Sequence, residues 1–307
     1  MKLIINKIVA ELLTLCLFFM LCGCTHRSAY SPQLSQIDSL LNQEDIDTSA
    51  VKVAFRQVSG SINKFDEAER MHYNLLKLYY MFKTFQQMEN DSVLREVLAY
   101  YGEKPTQEGV LANYIGTGMY YDRKEYNKAQ DCALNFLRMT NKMTNFDKEM
   151  RAKCHLLLGD IYSYRLAHTA VLNQYNQAYV YAKQTTNARL LADCYYYISQ
   201  IQMECKNYER ALEYCERAYE KYTFLNAKEN CAWTWLQRAK IFIKLDKWPN
   251  AKHCVKLFED NSREVKGENV IEYGKNNETY YYVKGQIYEN EESFDSALII
   301  YYRELHS

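Results

Sequence analysis

Along most of this 307-residue chain, apolar and small residues recur three and four positions apart, the period of one helix face. Leu34, Ile37, Leu40 and Leu41 carry that spacing over a first short helix, and residues 67–84 form a longer, strongly apolar one. Asp91 and Ser92 then offer an N-cap ahead of Val93, Leu94, Val97 and Leu98. From residue 110 onward a longer period is laid over the short one. Five times an aromatic residue is followed three positions later by an alanine that opens an apolar face: Tyr126/Ala129, Tyr175/Ala178, Tyr208/Ala211, Trp248/Ala251 and Phe294/Ala297. Self-similarity on this scale predicts stacked helix pairs rather than a pocket enzyme.

The positions upstream of each alanine fill in the unit. Asn113, Thr117 and Tyr120 precede the first; His155, Gly159 and Tyr162 the second; Tyr195, Ser199 and Gln202 the third; Trp235, Ala239 and Phe242 the fourth; Tyr281, Gly285 and Tyr288 the fifth. A large residue, a small one four later and an aromatic three further on, then the aromatic-to-alanine step, resembles the tetratricopeptide repeat (TPR). That resemblance implies an all-α, right-handed solenoid of helix pairs, preceded here by a divergent N-terminal helical segment. The small residues let two helix backbones approach, and the aromatics fill the gap to the next pair. Pro249 falls in the first turn of its helix, where its missing N–H costs nothing. The alanines are 49, 33, 40 and 46 residues apart, and Gly159 to Ala178 spans 19 residues rather than 12. The surplus of about two turns predicts longer helices or a longer loop in the second pair. Longer inter-repeat loops are expected around 226–230 and 261–276.

The N-terminus changes the setting. Lys2 and Lys7 precede an apolar run of ten, Leu12 to Leu21. That is short of the roughly 20 residues a spanning helix needs and fits a signal peptide. Leu21-Cys22-Gly23-Cys24 resembles the bacterial lipobox, which implies lipidation of Cys24 and a bilayer anchor. Residues 25–34 read as a polar tether without an acidic cluster, so a periplasm-facing lipoprotein of a Gram-negative envelope is expected. The expected layout is a signal peptide at 1–23, tether and first helix at 24–50, a divergent helical pair at 51–109 and TPR-like repeats at 110–307.

The lipobox, the Ile37–Leu41 helix, the Glu67–Leu76 segment, Asn90-Asp91-Ser92 and Tyr100-Tyr101 together resemble TPR lipoproteins of anaerobic Gram-negative bacteria. Longer members of that group continue into a transmembrane helix and a cytoplasmic regulator, which implies the extracytoplasmic sensor portion of a regulator, complete or truncated, as the alternative to a scaffold; a glycan-binding or enzymatic lipoprotein is a third reading with no supporting motif. Leu298, Ile299, Tyr301, Tyr302 and Leu305 lack a following helix in this sequence, so truncation, self-association there and cover by a partner are all open readings.

Composition sharpens the class. Tyrosine is frequent at 29 residues, glycine and proline scarce at 10 and 3, and hydrophobic residues reach 48%. A net charge of zero gives no footprint for nucleic acid. The histidines (His26, His72, His155, His168, His253, His306) fall in no metal-ligand spacing, and no nucleophile or phosphate-loop motif is present. Gly116-Thr117-Gly118 lies within a helix pattern, and Glu289 to Glu292 within a turn. No enzyme, cofactor or metal is expected. Cys132, Cys154, Cys194, Cys205, Cys215, Cys231 and Cys254 show no C-x-x-C and sit mostly inside predicted helices. Disulfides are open to an exported protein, but free buried thiols are the expectation.

In TPR arrays the exposed face of each first helix lines a concave groove. That face gives Tyr114, Gly118 and Tyr121; Leu156, Asp160 and Tyr164; Tyr196, Gln200 and Met203; Trp233, Leu236, Lys240 and Lys244; and Tyr282, Gln286 and Glu289. Tyr114, Tyr121, Tyr196, Gln200, Trp233, Lys240, Tyr282 and Gln286 are the candidates for contact with an unknown protein or peptide, since aromatics supply rigid area and amides can bond a peptide backbone. Tyr195, Trp235 and Tyr281 are assigned to packing. Tyr196, Gln200, Leu236 and Lys240 stand where a carboxylate clamp would want lysine and asparagine, so capture of a C-terminal carboxylate is not expected. Asp38-Ser39-Leu40, Asp91-Ser92-Val93 and Asp295-Ser296-Ala297 resemble an O-glycosylation triad, although triads this short recur by chance and the last fits helix entry equally well.

Overall fold

The computed structural model describes residues 31–43, 46–144, 146–266 and 276–305, with the side chains of 261–266, 276–278 and 303–305 outside the description. The expected signal peptide, Cys24, residues 25–30 of the expected tether and the Leu305 side chain lie outside the described residues. Every regular element among the described residues is helical. The helices are α1 (Pro32–Leu41), α2 (Thr48–Ser59), α3 (Glu67–Lys83), α4 (Ser92–Tyr101), α5 (Gln107–Asp122), α6 (Tyr126–Thr140), α7 (Lys148–Ser163) and α8 (His168–Ala182). They continue as α9 (Ala188–Glu204), α10 (Tyr208–Phe224), α11 (Lys228–Lys244), α12 (Trp248–Lys266), α13 (Asn276–Asn290) and α14 (Phe294–Leu305). The chain divides into two compact units, Met1–Tyr80 and Met81–Ser307, at a point inside α3. The 51–109 segment therefore contributes to both units and holds α2, α3 and α4 rather than a single pair.

In the first unit, α1 packs on α2 through Leu34, Ile37 and Leu41 and through Val51, Ala54 and Val58, all buried. Helix α2 is an addition to the sequence reading. Its signal is the i, i+3, i+7 spacing of those last three residues behind Asp47, whose carboxylate accepts from the Ser49 and Ala50 N–H groups at 2.9 and 3.0 Å. Helix α3 opens with a reciprocal cap: Glu69 N–H donates to Asp66 Oδ1 at 2.8 Å and Asp66 N–H to Glu69 Oε2 at 3.4 Å.

In the second unit, α5 to α14 form five consecutive packed pairs. The turn inside each pair is built the same way. A residue in the left-handed region sits two positions before the second helix: Lys124, Leu166, Lys206, Asp246 and Glu292, with φ between 52° and 62°. The next N–H then reaches back to a carbonyl of the first helix. Glu125 donates to Tyr120, Ala167 to Tyr162, Asn207 to Gln202, Lys247 to Phe242 and Ser293 to Tyr288, at 2.8–3.5 Å. The acceptors are the five late positions of the first-helix motif. None of the left-handed residues is glycine, so the commonest sequence signal for this turn is missing.

This turn corrects the register of the second pair. Helix α8 begins at His168, so Val171, and not Ala178, stands where the other pairs have their alanine. Val171 is buried and lies 12 residues after Gly159, as in every other pair. The intervals become 42, 40, 40 and 46 residues. Nor do loops make up the length between the third and fourth pairs: α9, α10 and α11 each run 17 residues, and only 225–227 separate α10 from α11. At the later site, α12 extends to Lys266, and residues 267–275 lie outside the description.

Register explains a swap in side-chain size across each pair. Tyr175 and Tyr301, seven residues into α8 and α14, lay their rings over Gly159 and Gly285, where a Cβ would collide with them. In the other pairs the small position is Thr117, Ser199 or Ala239, and the residue seven into the second helix is Ala133, Cys215 or Val255. Bulk removed from one helix reappears on its partner, as close packing requires. The cores continue between pairs: Phe136 of α6 packs with Tyr114 of α5 and with Cys154 and Leu158 of α7.

Two local expectations change. Asp91 does not cap α4 with its side chain; it pairs with Arg95 and Lys128 at 3.2 and 3.1 Å, while Asn90 Oδ1 takes the Ser92 N–H at 3.1 Å. Tyr301 is not bare, since it covers Gly285, and Ile300 is buried; Leu298, Ile299 and Tyr302 are exposed. Cys132, Cys154, Cys194, Cys205, Cys215, Cys231 and Cys254 are free thiols, all buried except the half-buried Cys205.

Candidate functional site

The first helices α5, α7, α9 and α11 contact one another in succession and form a wall. Side chains three or four residues apart on each helix share a face, and these faces open on one cleft of about 610 Å³. Helix α5 supplies Tyr114, Gly118 and Tyr121; α7 supplies Lys153, Leu156, Leu157 and Asp160; α9 supplies Arg189, Leu190, Asp193, Tyr196 and Tyr197; α11 supplies Asn230 and Trp233. Phe82 and Phe85 stand at and just past the end of α3, and Tyr222 reaches in from α10. Phe82 meets Tyr114 edge-on at 5.5 Å and lies where a Cβ on Gly118 would be, so that glycine makes room for the ring. The volume is in the range of small-ligand and peptide sites.

The polar groups are held from behind by the second helices. Tyr175 Oη of α8 donates to Asp160 Oδ1 at 2.6 Å, and Tyr222 Oη of α10 donates to Asp193 Oδ1 at 2.6 Å. Arg189 Nη2 donates to Asn230 Oδ1 at 2.8 Å, and Lys153 pairs with Glu149 at 2.6 Å. Burial pushes the Asp160 carboxyl up to about 6, opposed by the Tyr175 hydrogen bond alone. Burial also raises Asp193, against the Tyr222 hydrogen bond and the charges of Arg189 and Lys153. Burial first, then the Asp160 charge, keeps Tyr121 and Tyr197 protonated far above the usual tyrosine range.

Of the eight residues expected in the groove, Tyr114, Tyr121, Tyr196 and Trp233 border the cleft; so do Gly118, Leu156 and Asp160 from the same mapped faces. Gln200, Lys240, Tyr282 and Gln286 do not. Gln200 and Lys240 are half-buried further along α9 and α11, and Tyr282 and Gln286 lie on α13. Burial lowers the Lys240 ammonium. Leu236 and Met203 are core residues, 2% and 5% exposed. Tyr164 stacks on Tyr126 at 4.1 Å. Tyr195, Trp235 and Tyr281 pack against the buried cores. Three cleft residues of α9 stand outside the expected set: Asp193 lies one turn before Tyr196, Arg189 two turns before it, and Tyr197 beside it. Phe82 and Phe85 carried no repeat signal.

Among the described residues, no group of three or more His, Cys, Asp or Glu side chains is placed to hold a metal, and no helix is long and apolar enough to cross a membrane.

No protein-family model matches the sequence, and no curated protein matches it. Solved structures do. A Rap protein complexed with competence and sporulation factor superposes with a TM-score of 0.67 at 14% identity, over 89% of this chain and 74% of that one. NprR in complex with its cognate peptide NprX gives 0.66 at 16% identity, over 89% and 76%. A tetratricopeptide-repeat sensor protein of the STAND class from Pyrococcus horikoshii gives 0.63 at 15% identity, over 83% and 39%. The fold is a TPR-like α-solenoid. Similarity at this identity speaks for the solenoid's architecture, while the chemistry of its cleft belongs to this chain.

Proposed function

We propose that this chain is a TPR scaffold that binds a peptide, or an extended segment of a protein, in the cleft between α5, α7, α9 and α11, and that lipid on Cys24 holds it at a membrane. The carrying observation is the cleft itself. Four successive first helices face one 610 Å³ space, with aromatic rings from α5, α9 and α11 and hydrogen-bonding groups from all four, and rigid aromatics beside fixed polar groups suit an extended backbone. Two structural neighbours solved with a bound factor or peptide favour the same reading. The anchor rests on the lipobox-like Leu21–Cys24 and the apolar run before it. No catalytic step is part of the proposal.

The test is equilibrium dialysis of a randomised pentapeptide mixture against the full-length chain in detergent. Removing two ring anchors in Tyr196→Ala/Trp233→Ala is expected to lower the bound fraction at least tenfold, the scale of interface hot spots. Undiminished binding sinks the groove. Labelled palmitate should be incorporated by the wild type and not by Cys24→Ser; retained label refutes the anchor.

A further inference from the structure

Resting on the peptide reading above, we propose that Asp160 selects the occupant of the cleft by taking the cationic side chain of a bound peptide, lysine or arginine. Of the two cleft carboxylates that a second-helix tyrosine clamps, Asp160 is the one without a cation. It accepts one side-chain hydrogen bond, from the neutral Tyr175 hydroxyl, and no ion pair to it is found among the described residues. The two cations bordering the cleft are engaged elsewhere: Lys153 with Glu149 at 2.6 Å, and Arg189 with Asn230 at 2.8 Å. Their fields act on Asp193, not on Asp160.

A half-buried carboxylate without a cation is costly, and an incoming ammonium or guanidinium relieves that cost while forming a charge-assisted hydrogen bond. The walls suit the same guest. Tyr121 of α5 and Tyr197 of α9 border the cleft on the neighbouring helices, and their ring faces attract a cation. Neither deprotonates near neutral pH to add competing negative charge. An acidic side chain at this point would meet Asp160 as a like charge. Asp193 has the same construction, a carboxylate clamped by a tyrosine from the second helix, but its field is already met by Arg189 and Lys153, so it serves as the internal control.

The probe is the same pentapeptide mixture, with retained peptides eluted from the full-length chain and sequenced by mass spectrometry. In the wild type, lysine and arginine are expected to be enriched roughly tenfold over the input. Asp160→Asn keeps the acceptor for Tyr175 and should bring that enrichment to background while aromatic and apolar residues stay enriched. Asp193→Asn should leave most of the cationic enrichment in place. Tyr121→Leu removes the ring without touching the carboxylate and should reduce the enrichment by a factor of about three. Peptides retained with lysine and arginine at input frequency, or enriched equally by wild type and Asp160→Asn, would overturn the assignment while leaving the groove intact. Retention of no peptide at all would overturn the groove and the assignment together.

Discussion

Asp160 makes a prediction about stability that is independent of any ligand. Its native carboxyl holds a proton up to about 6, against an ordinary value of 3.8. The native state therefore binds more protons than the unfolded chain between those two pH values, so stability falls as pH rises through this window and is level above it. The difference, at about 1.4 kcal/mol for each tenfold in proton affinity, amounts to about 3 kcal/mol at pH 7.5. Solvent on the open side of the cleft screens part of it, leaving about 2 kcal/mol. Asp160→Asn removes the charge, keeps an acceptor for the Tyr175 hydroxyl and is expected to be more stable than the wild type by that amount. At pH 4.0 both native forms are neutral, and the advantage should shrink to about 0.5 kcal/mol. Urea titrations of both proteins at pH 7.5 and 4.0, followed by circular dichroism, measure the two differences. A variant less stable than the wild type at pH 7.5, with the same deficit at pH 4.0, would refute the reasoning: Asp160 would then be stabilising through contacts rather than paying a charge penalty. The expected gain also bears on function, because a residue that costs stability where it stands is the kind retained for binding.

Other outcomes follow from packing and burial. Gly159→Ala should cost about 1–3 kcal/mol, because its Cβ collides with the Tyr175 ring. Gly159→Ser/Tyr175→Cys, copying the Ser199 and Cys215 arrangement of the next pair, should recover part of the loss in a double-mutant cycle; strictly additive effects would deny the size swap. In the turn between α7 and α8, Leu166 stands at φ 52° and is exposed. Leu166→Ile should destabilise by about 1 kcal/mol and Leu166→Gly should not, and thermal melts of the two variants decide it. Burial pushes the thiols of Cys132, Cys194 and Cys215 up to about 12, so alkylation of the native protein at pH 8 should label Cys205 ahead of the other cysteines between residues 31 and 305. Equal labelling of all seven before denaturant is added would contradict the buried assignments.

The groove face was partly legible before the structure, and its gaps have physical causes. A helix repeats its faces every three to four residues, so Tyr114, Gly118 and Tyr121, or Leu156 and Asp160, could be placed together from spacing alone. Periodicity says which residues share a face but not where along the helix the neighbouring helix ends. Gln200 and Lys240 share the faces of Tyr196 and Trp233 yet lie beyond the cleft, while Asp193 and Arg189, one and two turns the other way, are in it. Helix α8 was misread for a related reason. Tyr175 and Ala178 repeat the aromatic-to-alanine spacing, but they stand two turns inside the helix, and only the left-handed turn at Leu166 shows where it begins.

Sequence alone determined that this is an all-helical chain of paired repeats, because the small and aromatic positions that allow close helix approach must recur at fixed intervals and can be read from the letters. That the cysteines are free was an expectation from their place inside predicted helices; the structure decided it, and left Cys205 half-buried. Tertiary structure alone decided which of the two tyrosine-clamped carboxylates lacks a cation. Asp160 and Asp193 look alike in the sequence, each facing the same side of a first helix. Their difference lies in Arg189 and Lys153 on one side and only tyrosines on the other, and charge compensation is set by distances between helices that no single-helix pattern contains.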